Sequence, residues 1–429
     1  MRAILSPNRM GNAPSVPSRG EREDPSFAPV LRERMPELDT IRGIAIAAVV
    51  LYHLFYWTRD LSLYSTWQRD FLVLMGPGQF GVNLFFVLSG FLITGILLES
   101  ARRDDYYARF YYRRALRILP PYYLTLVLVA IFGLASRGYL LMSALYCPNL
   151  SGLLGISLTY TVLWSLGVEE HFYFLWPLGV KNLSRKQMLW LLSALLVLSP
   201  VSRFLYHLRA EHTPNIGEYG YYTWNNADGL ALGAIVALLL RFPNRGRRHV
   251  AGLAAVLFSL AVLISAAGYP AILSRHSRVG EALQGVPWNL ASAGLLCVFL
   301  LLGTSAWKRA VTPAPFPFLG KISYGLYLYH LLFFAAYAWL FRRLDLENRL
   351  HLSLWVQAWM RAVFVAVGAV SFAYLSRRFL EEPLLRLKDK QPVFIFGRAS
   401  PGTSADTSEL QATTVQPRRP RTISRDFRE

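Results

Sequence analysis

The sequence predicts an all-α fold, a polytopic transmembrane helix bundle of about ten spans, on three observations. Hydrophobic residues make up 54% of the 429-residue chain and charged residues only 17%, too few to cover a soluble protein of this length. The mean hydropathy is +0.31. Apolar stretches near the roughly 20 residues that cross a hydrocarbon core of about 30 Å recur along the chain.

The elements follow in order. Residues 1–36, rich in Pro, Ser, Arg and Glu, read as a disordered tail. They lack the apolar run of a cleavable leader, so none is expected. Spans then fall at about 41–57, 80–98, 118–135, 155–180, 188–206, 226–240, 250–268, 287–304, 318–340 and 354–376. Several contain Gly or Pro, which membrane helices tolerate when neighbouring groups satisfy the freed backbone. Together they make one membrane domain over 37–390, and a second disordered, basic tail covers 391–429.

The net charge is +19, from 45 basic and 26 acidic residues. Such a balance can mark nucleic-acid binding, but arginines beside apolar spans hold topology by the positive-inside rule, so no nucleic acid is expected. With the N-terminus inside, four short cytoplasmic loops carry fifteen Lys and Arg and the five opposite loops carry ten. An even number of spans then puts both tails in the cytoplasm. Cys147 falls in a loop and Cys297 within a span, so no disulfide is expected. No metal is expected either.

An ionisable residue inside a span is costly and marks a candidate site. In the first span, Arg42 and His53 are eleven residues apart. At 100° per residue this places them on one helix face, separated by roughly 16 Å along the axis. Asp39, three residues before Arg42, shares nearly that face. The helix thus carries an anion-binding group at one mouth and, deeper, the side chain best suited to accept and return protons. The bland alternative is a hydrogen-bonded bundle histidine beside an interfacial arginine.

The fourth span holds Trp164, Ser165, Glu169, Glu170 and His171. Ser165 and Glu169 are spaced four apart and share a face. A carboxylate here could orient a histidine base or polarise a hydroxyl, whereas Glu170 and His171 read equally well as solvated interfacial residues. The loop from Tyr106 to Arg117 carries Arg109, Arg113, Arg114 and Arg117 ahead of Pro120-Pro121. Arg114 and Arg117 lie one helical turn apart and suit bidentate phosphate binding. Asp228 and His330 are further intramembrane candidates without a partner that spacing identifies. The stretch from Gly81 to Gly90 reads as close helix packing.

These residues carry a resemblance to the acyltransferase-3 family of bacterial and animal integral membrane acyltransferases. It runs from Leu38 to about Leu387 through LDTIRGIAIAAVVLYH, FGVNLFFVLSGFLIT, FYYRRALRILPPYY, WSLGVEEHFYFLWP, ADGLALGA, LGKISYGLYLYHLL and FLEEP, in that order. The family's basic residue, ten-residue gap and histidine fall on Arg42 and His53. Its Arg-x-x-Arg falls on Arg114 and Arg117, and its Trp-Ser-Leu-x-x-Glu on Trp164, Ser165 and Glu169.

The resemblance implies transfer of an acyl group, commonly acetyl, from cytoplasmic acyl-CoA (acetyl-CoA) to a hydroxyl of an extracytoplasmic or membrane-associated glycan. The expected setting is the bilayer of a bacterial inner membrane. Arg42, Arg114 and Arg117 would bind the CoA phosphates, His53 would act as base or acyl carrier, and Glu169 would orient its imidazole. Asp39, Trp164, Ser165, Asp228 and His330 are expected to support them. Two positions depart from the family pattern: Thr40 stands where glycine is usual, and Asn226 where arginine is common. The hydrolase-like domain that some members append is absent from this sequence, so a separate extracytoplasmic partner protein is an expectation for any second step. The alternative from another class is a transporter or flippase of a lipid-linked glycan, which would transfer no acyl group.

Overall fold

The computed structural model describes residues 31–389 apart from 33–34, 58–59, 211–218, 243–245, 274–277, 306–308, 310–311 and 346–350. The expected tails lie almost wholly outside these residues, and a unit over Lys390–Glu429 lies outside them entirely. Every regular element among the described residues is helical.

Helix α1, Pro36–Leu51, starts with proline in its first turn beside Glu37 and Asp39, where the ring's fixed φ and the acidic charges suit the exposed N–H groups. It runs on into a wide turn, Tyr52–Tyr56, in which Trp57 N–H reaches back five residues to Tyr52 O at 3.0 Å. Short α2, Thr66–Met75, is started by a capping box between Ser65 and Gln68. Then come α3, Gly81–Ser100, α4, Tyr106–Ile131, and a short α5, Arg137–Ala144, capped by Ser136. Helix α6 covers Leu163–Asn182, α7 Arg185–Ala210 and α8 Thr223–Leu239. The rest are α9, Arg247–Leu273, α10, Arg278–Leu283, α11, Val286–Gly303, α12, Pro315–Arg343, and α13, Leu354–Ser376.

Among the described residues, eight helical stretches are long and apolar enough to cross a membrane, against about ten expected spans. The chain is thus an all-α, polytopic membrane bundle. The two expected spans that miss this measure are α6 and α8, for different reasons: α8 is apolar but short, and α6 is interrupted by charge although it turns Phe174 and Leu175 outward. Helix α8 has only 17 residues, of which eleven are buried. Helix α6 carries Glu169, Glu170 and His171 in its middle. By contrast, the apolar windows of α7 and α9 are only 17% and 22% buried, and they turn Trp190, Val197, Val262 and Leu263 outward.

One boundary differs by a full three turns. Residues Tyr106–Arg117, expected as a loop, are the start of α4, and Pro120 and Pro121 lie inside that helix. The arginine-rich turns hid the helix because apolarity cannot identify a segment that faces a polar cavity. The fourth span also starts later than expected. Gly155, with φ +68°, ends a tight turn over Pro148–Leu154, and α6 begins only at Leu163.

Two helix pairs pack at backbone distance. A Cβ on Gly43 would strike the carbonyl of Phe316, and one on Gly320 would strike that of Asp39, so α1 and α12 touch backbone to backbone over their first turns. Gly90 lies on the Leu230 carbonyl and Gly233 on that of Val87, which joins α3 to α8. Small residues permit this approach, and dispersion contacts hold it where lipid offers no hydrophobic drive. Ile46, Val49, Leu326 and Tyr329 share the core beside the first pair, and Leu84, Val87 and Val236 the core beside the second.

Gly320→Val should force α1 and α12 apart at a cost of about 1–3 kcal/mol. The thermal unfolding midpoint of the purified variant is expected to fall. Gly252→Ala, at a position with nothing within 4 Å, is the control and should leave the midpoint unchanged or raise it.

Candidate active site

The polar residues of the bundle gather around two cavities. The first, of about 570 Å³, is lined by Arg42 from α1, by Arg109, Arg113, Arg114 and Arg117 from α4, and by Arg103 just before it. Its acidic lining is Glu99, Glu169 and Glu170. Six guanidinium groups against three carboxylates leave this arginine cavity with a surplus of positive charge.

The carboxylates are partly committed. Glu99 pairs with Arg241 at 2.6 Å, and Glu170 lies 3.6 Å from Arg114. Glu169 accepts from Ser89 Oγ at 2.9 Å and from Tyr173 OH at 3.1 Å. Arg114 also stacks over the Tyr173 ring, a cation–π contact at 2.9 Å from the centroid. Arg42 pairs with Asp39 at 2.8 Å. Among the described residues, no hydrogen bond or ion pair holds Arg117. Its guanidinium is the one most available to an added anion.

The second cavity, of about 450 Å³, is lined by His53, Trp57, Trp164, Tyr221 and a set of amides and charges from α3, α7 and α8. His53 stands on the wide turn that ends α1. Its Nδ1 lies 2.8 Å from Val49 O, the carbonyl one turn earlier. A carbonyl only accepts, so Nδ1 carries the hydrogen and Nε2 is left as the basic lone pair. Wide turns of this kind inside α-helices are frequent at functional sites.

His330 from α12 packs its ring 5.0 Å from that of His53, edge to face. Its Nδ1 likewise lies 3.1 Å from the carbonyl of Leu326, four residues back. Its Nε2 is fully buried without a hydrogen-bond partner among the described residues. The two imidazoles are therefore held in the same tautomer by two helices that meet at Gly43 and Gly320.

The cavities share a thin wall. Val82, Phe86 and Tyr327 line both. Tyr327 is fixed there by a 2.6 Å hydrogen bond to Ser165, and Phe86 by an edge contact with Trp164. The run from Trp164 to Glu169 straddles this wall, with Trp164 in the histidine cavity and Ser165 and Glu169 in the arginine cavity.

The expected residues divide accordingly. Arg42, Arg114, Arg117, Ser165 and Glu169 come together in one cavity, and His53, Trp164 and Asp228 in the other. Asp39 touches the first through Arg42, and His330 touches the second through His53. Glu169 is not brought to His53: its carboxylate is taken up by Ser89 and Tyr173 on the arginine side. The imidazole's ring neighbours are His330, Tyr52 and Trp57.

Glu170, read as equally compatible with the surface, lines the arginine cavity. His171 instead bonds Thr223 at 2.6 Å, which ties α6 to α8. Cys147 lies 3.8 Å from His171, and burial pushes its thiol above the ordinary range, away from thiolate chemistry. Both cysteines are free.

Several contributors were not visible in the sequence. Ser89 lies in the stretch read as pure packing, and its hydroxyl also holds Glu169. Tyr173, Tyr327 and Arg203 carried no local signal. Helix α7 carries Arg203 to Asp228 of α8 at 3.0 Å. Its distance in sequence from Asp228 hid the pair.

The family model described as "Acyltransferase domain" matches residues 35–378. The chain is 26% identical over 389 residues to the peptidoglycan O-acetyltransferase OatA of Listeria monocytogenes, covering 82% of this chain and 56% of that protein. It is 27% identical over 330 residues to the putative peptidoglycan O-acetyltransferase YrhL of Bacillus subtilis, covering 69% and 48%. To the O-acetyltransferase OatA of Staphylococcus aureus it is 23% identical over 385 residues, covering 84% and 59%. The chain thus spans about half the length of the curated relatives it matches. No solved structure matches it. With the family model covering most of the bundle, the chain belongs to the acyltransferase-3 family of integral membrane proteins.

Proposed function

We propose that this chain is an O-acyltransferase of the bacterial inner membrane. It moves an acyl group, acetyl by analogy with the named activity of its relatives, from a cytoplasmic CoA thioester to a hydroxyl of a cell-envelope glycan. The observation that carries this reading is the division of the polar interior into an arginine cavity and a histidine cavity with a three-residue wall between them. One side suits a polyphosphate, and the other suits proton transfer from a hydroxyl.

On this reading the arginine cavity opens to the cytoplasm, the side on which the moderate charge bias of the loops places it. Arg114, Arg117 and Arg42 hold the CoA phosphates by charge-assisted hydrogen bonds. The pantetheine arm bridges the axial separation of Arg42 and His53, roughly 16 Å by helix rise, and passes the wall at Tyr327. Glu169 stays on the donor side, where it fixes Ser89 and Tyr173 beneath Arg114. The imidazole's partner is His330.

The chemistry balances without a further reactant. His53 Nε2 takes the proton of the acceptor hydroxyl as its oxygen attacks the thioester carbonyl. The new C–O ester bond forms, the C–S bond breaks, and the leaving thiolate takes the proton back from the imidazolium. The ring of His330, edge to face with that of His53, holds the imidazole in place and faces the transient charge. A separate extracytoplasmic partner would carry the ester onward where the final acceptor lies outside the membrane.

Steady-state release of CoA thiol by the purified protein tests the assignment. Arg117→Ala and Arg114→Ala should raise KM for acetyl-CoA by about 10- to 100-fold, the worth of a charge-assisted hydrogen bond, with a smaller change in kcat. His53→Ala should remove turnover, with a loss of at least about 100-fold at unchanged KM. An active His53→Ala protein would remove the basis of the mechanism, and absence of both transfer and hydrolysis in the wild type would favour the transporter.

A further inference from the structure

We infer that the histidine cavity takes an uncharged sugar unit as its acceptor and rejects acidic ones. The inference rests on the acyl-transfer reading and adds the class of the substrate.

The charges in this cavity are spent on one another. Arg203 donates from Nε to Ala282 O at 3.0 Å, from Nη1 to Asn225 O, and from Nη2 to Asp228 Oδ2 at 3.0 Å. Asp228 completes its account by accepting from the Gly229 N–H at 3.1 Å. Each nitrogen of the guanidinium and each oxygen of the carboxylate is therefore engaged, and their side chains are only 12% and 4% exposed. The pair presents neither a free cation nor a free anion.

What remains for a ligand is neutral. Asn226 donates from Nδ2 to Gly220 O at 2.7 Å and to Tyr222 O at 3.0 Å. Since those carbonyls can only accept, the amide orientation is fixed and its carbonyl oxygen is the atom left to receive a hydroxyl. Asn83 is tied to Asn289 at 2.8 Å through one end of its amide. Trp164 and Tyr221 stand together with ring centroids 5.1 Å apart and supply flat apolar surface. Amides that meet hydroxyls, and aromatic faces that meet the C–H face of a ring, describe a neutral sugar.

A carboxylate placed here would lose its hydration and find no unpaired cation among the described residues that line the cavity, the costliest case of polar burial. The arginine cavity, with its surplus of guanidinium groups, is the opposite environment a few side chains away.

The test uses the full chain in phosphatidylethanolamine and phosphatidylglycerol nanodiscs with acetyl-CoA. Methyl N-acetyl-β-glucosaminide is set against methyl β-glucuronide, acetyl ester is read by mass spectrometry, and CoA thiol is read in parallel. The wild type should acetylate the neutral glycoside with a kcat/KM at least about tenfold higher, and Asn226→Arg should narrow or reverse that ratio by about tenfold. The wild-type comparison stands even if the variant does not fold. Equal or preferred use of the glucuronide overturns the inference. So does CoA release without ester on the neutral glycoside, which leaves the donor reading standing. Absence of CoA release under all conditions defeats the acyl-transfer reading and this inference with it.

Discussion

The backbone contact between α1 and α12 is the constraint on which the site depends. Gly43 lies against Phe316 and Gly320 against Asp39, so the two helices approach as closely as their main chains allow. That approach brings His53 and His330, 277 residues apart in sequence, to a ring separation of 5.0 Å. Each ring is then oriented by its own helix, through the carbonyl four residues back. Lipid contributes no hydrophobic force between the helices, so the fit of small residues has to hold the pair.

The second requirement is that charge inside the bilayer be answered locally. The two cavities meet it in different ways. In the histidine cavity, Arg203 and Asp228 close on each other and on backbone groups, so that every nitrogen of the one and every oxygen of the other has a partner. In the arginine cavity the lining groups do not balance, and among the described residues Arg117 has no hydrogen bond or ion pair within 4 Å, only the longer-range charge of Glu381. An uncompensated cation in a membrane is expensive unless a ligand completes it. The wall of Val82, Phe86 and Tyr327 keeps these two environments apart, with Ser165 holding the tyrosine.

Much of this was legible along the chain. Span length and low charge are local properties, and they placed the helices to within a few residues except where polarity intruded. Arg42, His53, Arg114, Arg117 and Glu169 stood out because an ionisable residue amid apolar ones is visible without knowing its neighbours. The first turns of α4, the segment expected as a loop, face a polar cavity, and a helix that faces a cavity loses the apolar signature that betrays a span.

By itself, then, the sequence determined that the chain crosses the membrane many times, that it is helical, and that ionisable side chains such as Arg42, His53 and Glu169 interrupt its apolar spans. It determined these because each depends on residues within one helix. Only the tertiary structure decided which of those side chains meet. It set Glu169 beside Ser89, His53 beside His330, and Arg203 beside Asp228. Partners on different helices leave no period or spacing in the sequence. Their meeting is fixed by which helix faces can approach to backbone distance, a property of the packed bundle and of no single span.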